Sequence, residues 1–276
     1  MNNAVRQNRI KGRNNKGVKS ALVTVIAGTL VVVATACGNT TTENLPTPSA
    51  SATAAAVTSV AGTSVNGFAT KKELGADSQG RKFVQTTLFS DDKMLAYQPA
   101  QVTEQTSSLF SVEEIQTAQK VAMLYYAEEL TDSELKGDNI TKADKDLWLE
   151  SMKDDIDPEQ LQEFADKLTT YDPKDGVVYE NPDRVTKGYA LDYNENNVQL
   201  ISRKIELNRV LGATIDGKRY IGFVTDIKLE LPVTKDGEKA VESVRATATV
   251  TMRQVTPGVW KYAGAKVSVD SVEYSK

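Results

Sequence analysis

Apolar and polar positions alternate with period two through the second half of the chain. In residues 221–231, Ile221, Phe223, Ile227, Leu229 and Leu231 fall on one face. In 244–253, Ala246, Ala248, Val250 and Met252 share one parity, and Arg245, Thr247, Thr249, Thr251 and Arg253 share the other. Such alternation marks antiparallel strands with one buried and one wet face. Asp216-Gly217, Asp236-Gly237 and Pro257-Gly258 punctuate them as turns. The last strand, from Val259 to about Tyr274, changes phase near Ala263-Gly264. Trp260 and Tyr262 share one parity and Val267 and Val269 the other, so a bulge at Gly264 is expected.

The preceding segment has helical periodicity. Ser111 and Glu114 form an S-x-x-E capping box. Val112, Ile115, Ala118, Ala122 and Tyr125 follow at helical spacing. A second helix is predicted over 141–154, with Leu147, Trp148 and Met152 as its apolar face. A third opens at Asp157-Pro158, with Asp157 as N-cap and Pro158 at the first helical position; Leu161, Phe164, Ala165 and Leu168 form its buried stripe. Upstream, the β-like stretches 82–89 and 93–98 flank Ser90-Asp91-Asp92, which predicts a hairpin or an N-terminal arm.

Helices followed by a four-stranded meander predict an α+β fold, with N-terminal helices packed on one face of a curved antiparallel sheet. The order of the capped helix at 111–130, the helices at 141–168 and the meander at 198–274 resembles the nuclear-transport-factor-2-like superfamily, a cone-like fold. Val259-Trp260-Lys261-Tyr262 resembles an aromatic strand opening found late in such domains. The resemblance covers residues 105–276. It implies a non-catalytic interaction or positioning module of the kind found in Gram-positive surface lipoproteins and in membrane-anchored conjugation and cell-wall machinery.

The N-terminus has a different character. Residues 1–20 are polar and basic, and 21–36 (ALVTVIAGTLVVVATA) are apolar apart from Thr and Gly. Sixteen residues make ~24 Å of helix, short of a ~30 Å hydrocarbon core. A basic stretch, a short apolar stretch and small residues form a signal-peptide pattern. Ala34-Thr35-Ala36-Cys37-Gly38 resembles the lipobox of bacterial lipoproteins, with Ala34 where Leu is commoner. That resemblance implies cleavage before Cys37, lipid on its thiol (diacylglycerol, palmitate) and anchorage at the extracytoplasmic face of the cell membrane. The competing reading is an uncleaved signal-anchor helix with an incidental cysteine. Residues 39–66 are rich in Thr, Ser and Ala, contain two prolines and lack aromatics, so they read as a flexible, disordered tether. The organisation expected is signal peptide 1–36, lipidated Cys37 and tether 37–67, N-terminal extension with a possible hairpin 68–104, and α+β domain 105–276.

Charge narrows the partners. The formal net charge is −4, and residues 1–36 hold six of the 33 basic groups and no acidic ones. Without them, 33 less 6 leaves 27 basic against 37 acidic groups, a net of −10. An acidic body repels phosphate backbones, so no nucleic-acid partner is expected, and its membrane attachment is expected to be covalent. The partners expected are the membrane through lipid on Cys37, envelope proteins and, as an alternative, a small ligand. The chain has one cysteine and no histidine. Intramolecular disulfides, Ser-His-Asp and Cys-His catalysis and His-liganded zinc are therefore excluded.

Few residues suggest a site. Asp154, Asp155, Asp157 and Glu159 cluster, but an EF-hand loop from Asp155 would need Gly and Glu where Gln160 and Asp166 stand. Solvated helix ends explain the cluster better, and no metal or other cofactor is expected. Tyr125, Tyr126, Trp148, Phe164, Phe223 and Trp260 are the candidates to line a cone cavity; packing between helices and sheet is the competing reading for all six. Arg245, Arg253 and Lys261 are expected on a basic, solvated strip of the outer sheet face. No catalytic residue is expected. The alternatives to an interaction module are a ligand-binding lipoprotein using the cavity and a His-free enzyme of isomerase or dehydratase type, which needs a buried carboxylate.

Overall fold

In a computed structural model, residues 64–76, 82–133, 142–170, 184, 186–192 and 198–276 are described. The signal segment, Cys37 and the tether up to residue 63 lie outside them. Three short strands come first: β1 (Ser64–Val65), β2 (Phe68–Ala76) and β3 (Lys82–Thr87). The helices are α1 (Glu104–Leu109), α2 (Val112–Tyr125), α3 (Lys142–Met152) and α4 (Leu161–Thr170). A π-helical turn over Tyr126–Leu130 extends α2. A two-residue strand, β4 (Ala190–Leu191), precedes the long strands β5 (Ser202–Ile215), β6 (Lys218–Lys235), β7 (Glu238–Thr256) and β8 (Val259–Ser275).

The long strands form a curved, open antiparallel sheet, so the fold mixes helix and sheet. β6 pairs with β5 on one side and β7 on the other, and β8 lies beyond β7. The Asp-Gly turns work as their chemistry dictates. Asp216 (φ 50°) with Gly217 (φ 73°) and Asp236 (φ 54°) with Gly237 (φ 80°) are left-handed pairs, the geometry that closes a two-residue hairpin with the right twist. The phase change in β8 is a register shift: Thr251 pairs with Gly264, but Met252 pairs with Tyr262.

Period two sets the inner face. Ile221, Phe223, Thr225, Ile227, Leu229 and Leu231 of β6 are buried, as are Ala246, Ala248, Val250 and Met252 of β7. Helix α2 packs against β6, β7 and β8 through Ile115, Ala118, Ala122 and Met123, all buried. Its capping box is complete: Ser111 Oγ accepts from Glu114 N (3.2 Å), and Ser111 N donates to Glu114 Oε2 (2.9 Å). Glu114 also pairs with Arg219 and accepts from Gln254 Nε2 (3.1 Å). Burial alone would raise its pKa, but the Arg219, Ser111 and Gln254 donors outweigh it and hold the carboxyl at about 2.

Helix α1 covers the free edge of β5. Thr106 Oγ donates to Val210 O (3.0 Å) and accepts from Gly212 N (2.6 Å), standing in for a neighbouring strand. Gly212 is required by this approach, since a Cβ there would lie 2.8 Å from the Phe110 ring. The other end of the sheet is closed by the chain before β5. Arg184 makes a bidentate, buried ion pair with Glu242, and Tyr189 stacks on Tyr274 at 4.2 Å.

Three expectations need correction. Residues 93–98 do not pair with 82–87; β3 pairs with β2. Asp92 caps Met94 N (2.8 Å) and starts a 3-10 turn over Lys93–Leu95, and Gln119 Nε2 of α2 donates to the carbonyls of Met94 (2.8 Å) within it and Ala96 (2.6 Å) just after it. Strand structure begins inside the span read as tether, because Asn66-Gly67 (φ 51° and 81°) is itself a hairpin turn joining β1 to β2. Helix α4 starts at Leu161, not at Pro158: Asp157 Oδ1 accepts from Glu159 N (3.0 Å) in a turn, and the intervening residues are not helical.

Candidate functional site

Tyr125 and Tyr126 at the end of α2, Trp148 of α3, Phe164 of α4, Phe223 of β6 and Trp260 of β8 all belong to one buried core cluster. All six are buried, and no more than 8% of any of them is exposed. Tyr125 stacks on Tyr262 with ring centroids 3.9 Å apart, and Phe164 meets the same Tyr262 edge-on at 5.1 Å. Trp260 lies 5.8 Å from Phe110. Tyr262 thus joins Tyr125 to Phe164, and Phe110 meets Trp260; neither Tyr262 nor Phe110 is among the six candidates. The signal for Tyr262 was its parity with Trp260.

Tyr126 differs from the rest. Its hydroxyl reaches between β6 and β7: Val250 N donates to it (2.8 Å), and its own proton reaches the carbonyl of Phe223 or of Ala248 (3.0 Å). The phenol is completely buried and satisfied by backbone.

Burial is the main cause that pushes the phenols of Tyr125, Tyr126 and Tyr262 above their ordinary value of 10.0; the Glu129 charge adds to the shift at Tyr125 and Tyr262. Above pH 10 the unfolded chain loses these protons while the folded chain keeps them. Stability carried by the three phenols is therefore complete below pH 10 and falls as pH rises beyond it. Absorbance titration of tyrosinate is expected to show these three ionising only together with loss of the circular dichroism signal. Their ionisation in the native state would contradict the burial.

A second, polar cluster gathers at the π-helical turn. Glu129 is buried and accepts from Trp148 Nε1 (2.8 Å), with Ser133 Oγ at 3.4 Å and Lys71 Nζ at 4.0 Å. It lies by the Tyr125–Tyr262 stack, the kind of placement an acid–base reading would require, with Oε2 taken by the indole and Lys71 4.0 Å from Oε1. Asp132, also buried, accepts from the Thr86 amide and hydroxyl, both at 2.6 Å. The sequence shows no sign of this cluster, because its partners lie on separate elements.

The acidic cluster after α3 and the expected basic strip are one structure. The bridge of Ile156 with Tyr262 lays residues 155–157 along β8, through Asp157 N to Tyr262 O and Tyr262 N to Asp155 O, both 2.8 Å. Arg253 then reaches Asp157 Oδ1 (2.6 Å) and Glu159 Oε1 (2.7 Å), and Lys218 also pairs with Glu159. Arg253 and Asp157 are both buried, which corrects the solvated reading of each. Lys261 donates to the Asp154 carbonyl, and Arg245 is exposed. Among the described residues, no group of three or more carboxylates, histidines or cysteines is placed to hold a metal ion.

Comparison of the chain with family models, with curated proteins and with solved structures returns no match.

Proposed function

We propose that this chain is a lipoprotein held by lipid on Cys37 at the extracytoplasmic face of the cell membrane, and that its folded body is a non-catalytic interaction or positioning module in envelope or transfer machinery. The observation that carries the anchor is the run from a basic segment through 16 apolar residues to Ala-Thr-Ala-Cys-Gly, with the chain's single cysteine at the one place lipidation needs it. The net charge of −10 beyond residue 36 supports it, because such a body gains nothing from an anionic lipid surface and needs a covalent tie.

The nuclear-transport-factor-2-like cone belongs to the same proposal. Helices on the inner face of a curved antiparallel sheet support it. The interior aromatics favour an outward-facing role over a ligand held inside the cone. All six are buried in the core that helices and sheet share, and the Tyr126 hydroxyl is engaged by strand backbone.

The test is metabolic labelling with an alkyne fatty acid in a bacterial host, followed by fractionation. The wild-type chain is expected to take up label and to stay in the membrane pellet through a high-salt wash. Cys37→Ser is expected to lose the label and most of its membrane retention. An unlabelled wild type, with Cys37→Ser retained as before, would establish the signal-anchor helix instead.

A further inference from the structure

The long strands carry two rows of like charge, side by side, on the face of the sheet opposite to the buried one. Register sets Lys204 of β5 across from Lys228 of β6, and Lys228 across from Arg245 of β7, so three cations stand in line over three strands. All three are exposed. In the next row, two residues away on each strand, Glu206 stands across from Asp226, and Asp226 across from Thr247. A bulge in β8 completes that row. Arg245 pairs with Ser271 and Ala246 with Val269, so Asp270 is the extra residue, and its carboxylate accepts from Thr247 Oγ1 at 3.1 Å.

Like charges directly opposite one another destabilise a sheet. Exchanging Asp226 and Lys228 would remove the repulsion from both rows at once, yet the chain keeps the repulsive order. Relief within the chain is partial. Lys204 pairs with Glu206 at 2.8 Å, whereas Lys228 and Arg245 make no ion pair among the described residues. A simply acidic partner would meet the cation row and be repelled by the row beside it, and a basic partner would meet the reverse. Both rows are satisfied together by a surface that carries an anion row next to a cation row at the same spacing. This face is itself such a surface.

We propose that a second copy of this chain docks here, sheet against sheet, about a two-fold axis that crosses the strands midway between the rows. That operation lays each long strand over its own counterpart, reversed in direction. Lys204 meets the second copy's Glu206, Lys228 meets its Asp226, and Arg245 meets its Thr247 and Asp270, and each contact occurs twice. An axis on the other side of the cation row is poorer, because Ser202, Glu230 and Ser243 offer one carboxylate to the three cations. The proposal uses β5 to β8 alone and is independent of the lipid anchor.

Sedimentation velocity of the full chain in mild detergent tests it. At low salt the wild type is expected to pass from monomer to dimer as concentration rises through the micromolar range. It is expected to return to monomer in about 1 M salt, where charges are screened beyond about 3 Å. Lys228→Glu and Asp226→Lys each set like charges across the axis, and each is expected to weaken the dimer roughly tenfold or more. The two together restore opposite charges and are expected to recover dimerisation to within about threefold of the wild type. The Lys228→Glu monomer is expected to melt no lower than the wild type, since the change removes two like-charge neighbours within its own sheet. Arg245→Glu serves if Lys228→Glu does not fold. A chain that stays monomeric at low salt would leave the two rows to a different protein and overturn the proposal. A dimer indifferent to both single variants, or a double variant no better than the singles, would overturn it as well.

Discussion

Arg253→Met is expected to destabilise the fold by about 3–5 kcal/mol, the cost of removing one partner of a buried ion pair. The reason is the residue left behind. Asp157 is completely buried, and in the wild type its carboxylate faces the Arg253 guanidinium at 2.6 Å. Methionine matches much of the arginine stem but supplies no charge, so the carboxylate would remain desolvated and uncompensated. Glu159 would lose less, since it is half exposed and keeps Lys218. Thermal unfolding followed by circular dichroism should show a fall in Tm of roughly 8–15 °C for a folded region of this size. The control is Asp157→Asn in the same background. It keeps an Oδ1 acceptor for the Glu159 amide and removes the charge, so it is expected to restore about half of the loss. If the double variant is no more stable than Arg253→Met, the cost lies in packing of the arginine stem and not in a stranded charge.

That ion pair also shows where sequence patterns stop being informative. Arg253 sits on the wet parity of β7, beside Thr251 and Thr249, and parity alone assigns it to solvent. Parity reports which face of a sheet a side chain leaves from. It does not report whether another segment crosses that face, and here residues 155–159 do, after pairing with the edge of β8. The same limit hid the polar cluster at the π-helical turn: Thr86, Asp132, Glu129 and Trp148 carry no shared pattern until their elements meet. What was legible rested on local rules. The alternation in 221–231 and 244–253 follows from the pleat, the Asp-Gly turns from left-handed backbone, and the Ser111–Glu114 box from the unpaired amides of a helix start. The start of α4 was misread because a side-chain-capped turn and a helix N-cap use the same residue types.

Tyr126→Phe is expected to cost about 2–4 kcal/mol although it removes a single oxygen and leaves the ring in place. Tyr125 and Tyr126 follow one another where α2 gives way to the π-helical turn, about 100° apart around the helix, and both are buried. The Tyr126 hydroxyl serves the sheet backbone from within, accepting from Val250 N and donating toward Phe223 and Ala248 carbonyls on facing strands. Phenylalanine leaves a buried donor and a buried acceptor short of a partner, at about 1–3 kcal/mol each, in a site with no exposure through which water could replace the oxygen. A large, apolar, shape-matched substitution is therefore expected to be worse than its chemistry suggests, with Tm lowered by roughly 5–12 °C. Exchange of the Val250 amide supplies the local readout and is expected to quicken in the variant ahead of neighbouring sheet amides. A Tm within about 1 °C of the wild type would mean that ladder bonds between β6 and β7 alone satisfy these groups, and that the hydroxyl adds nothing to the core.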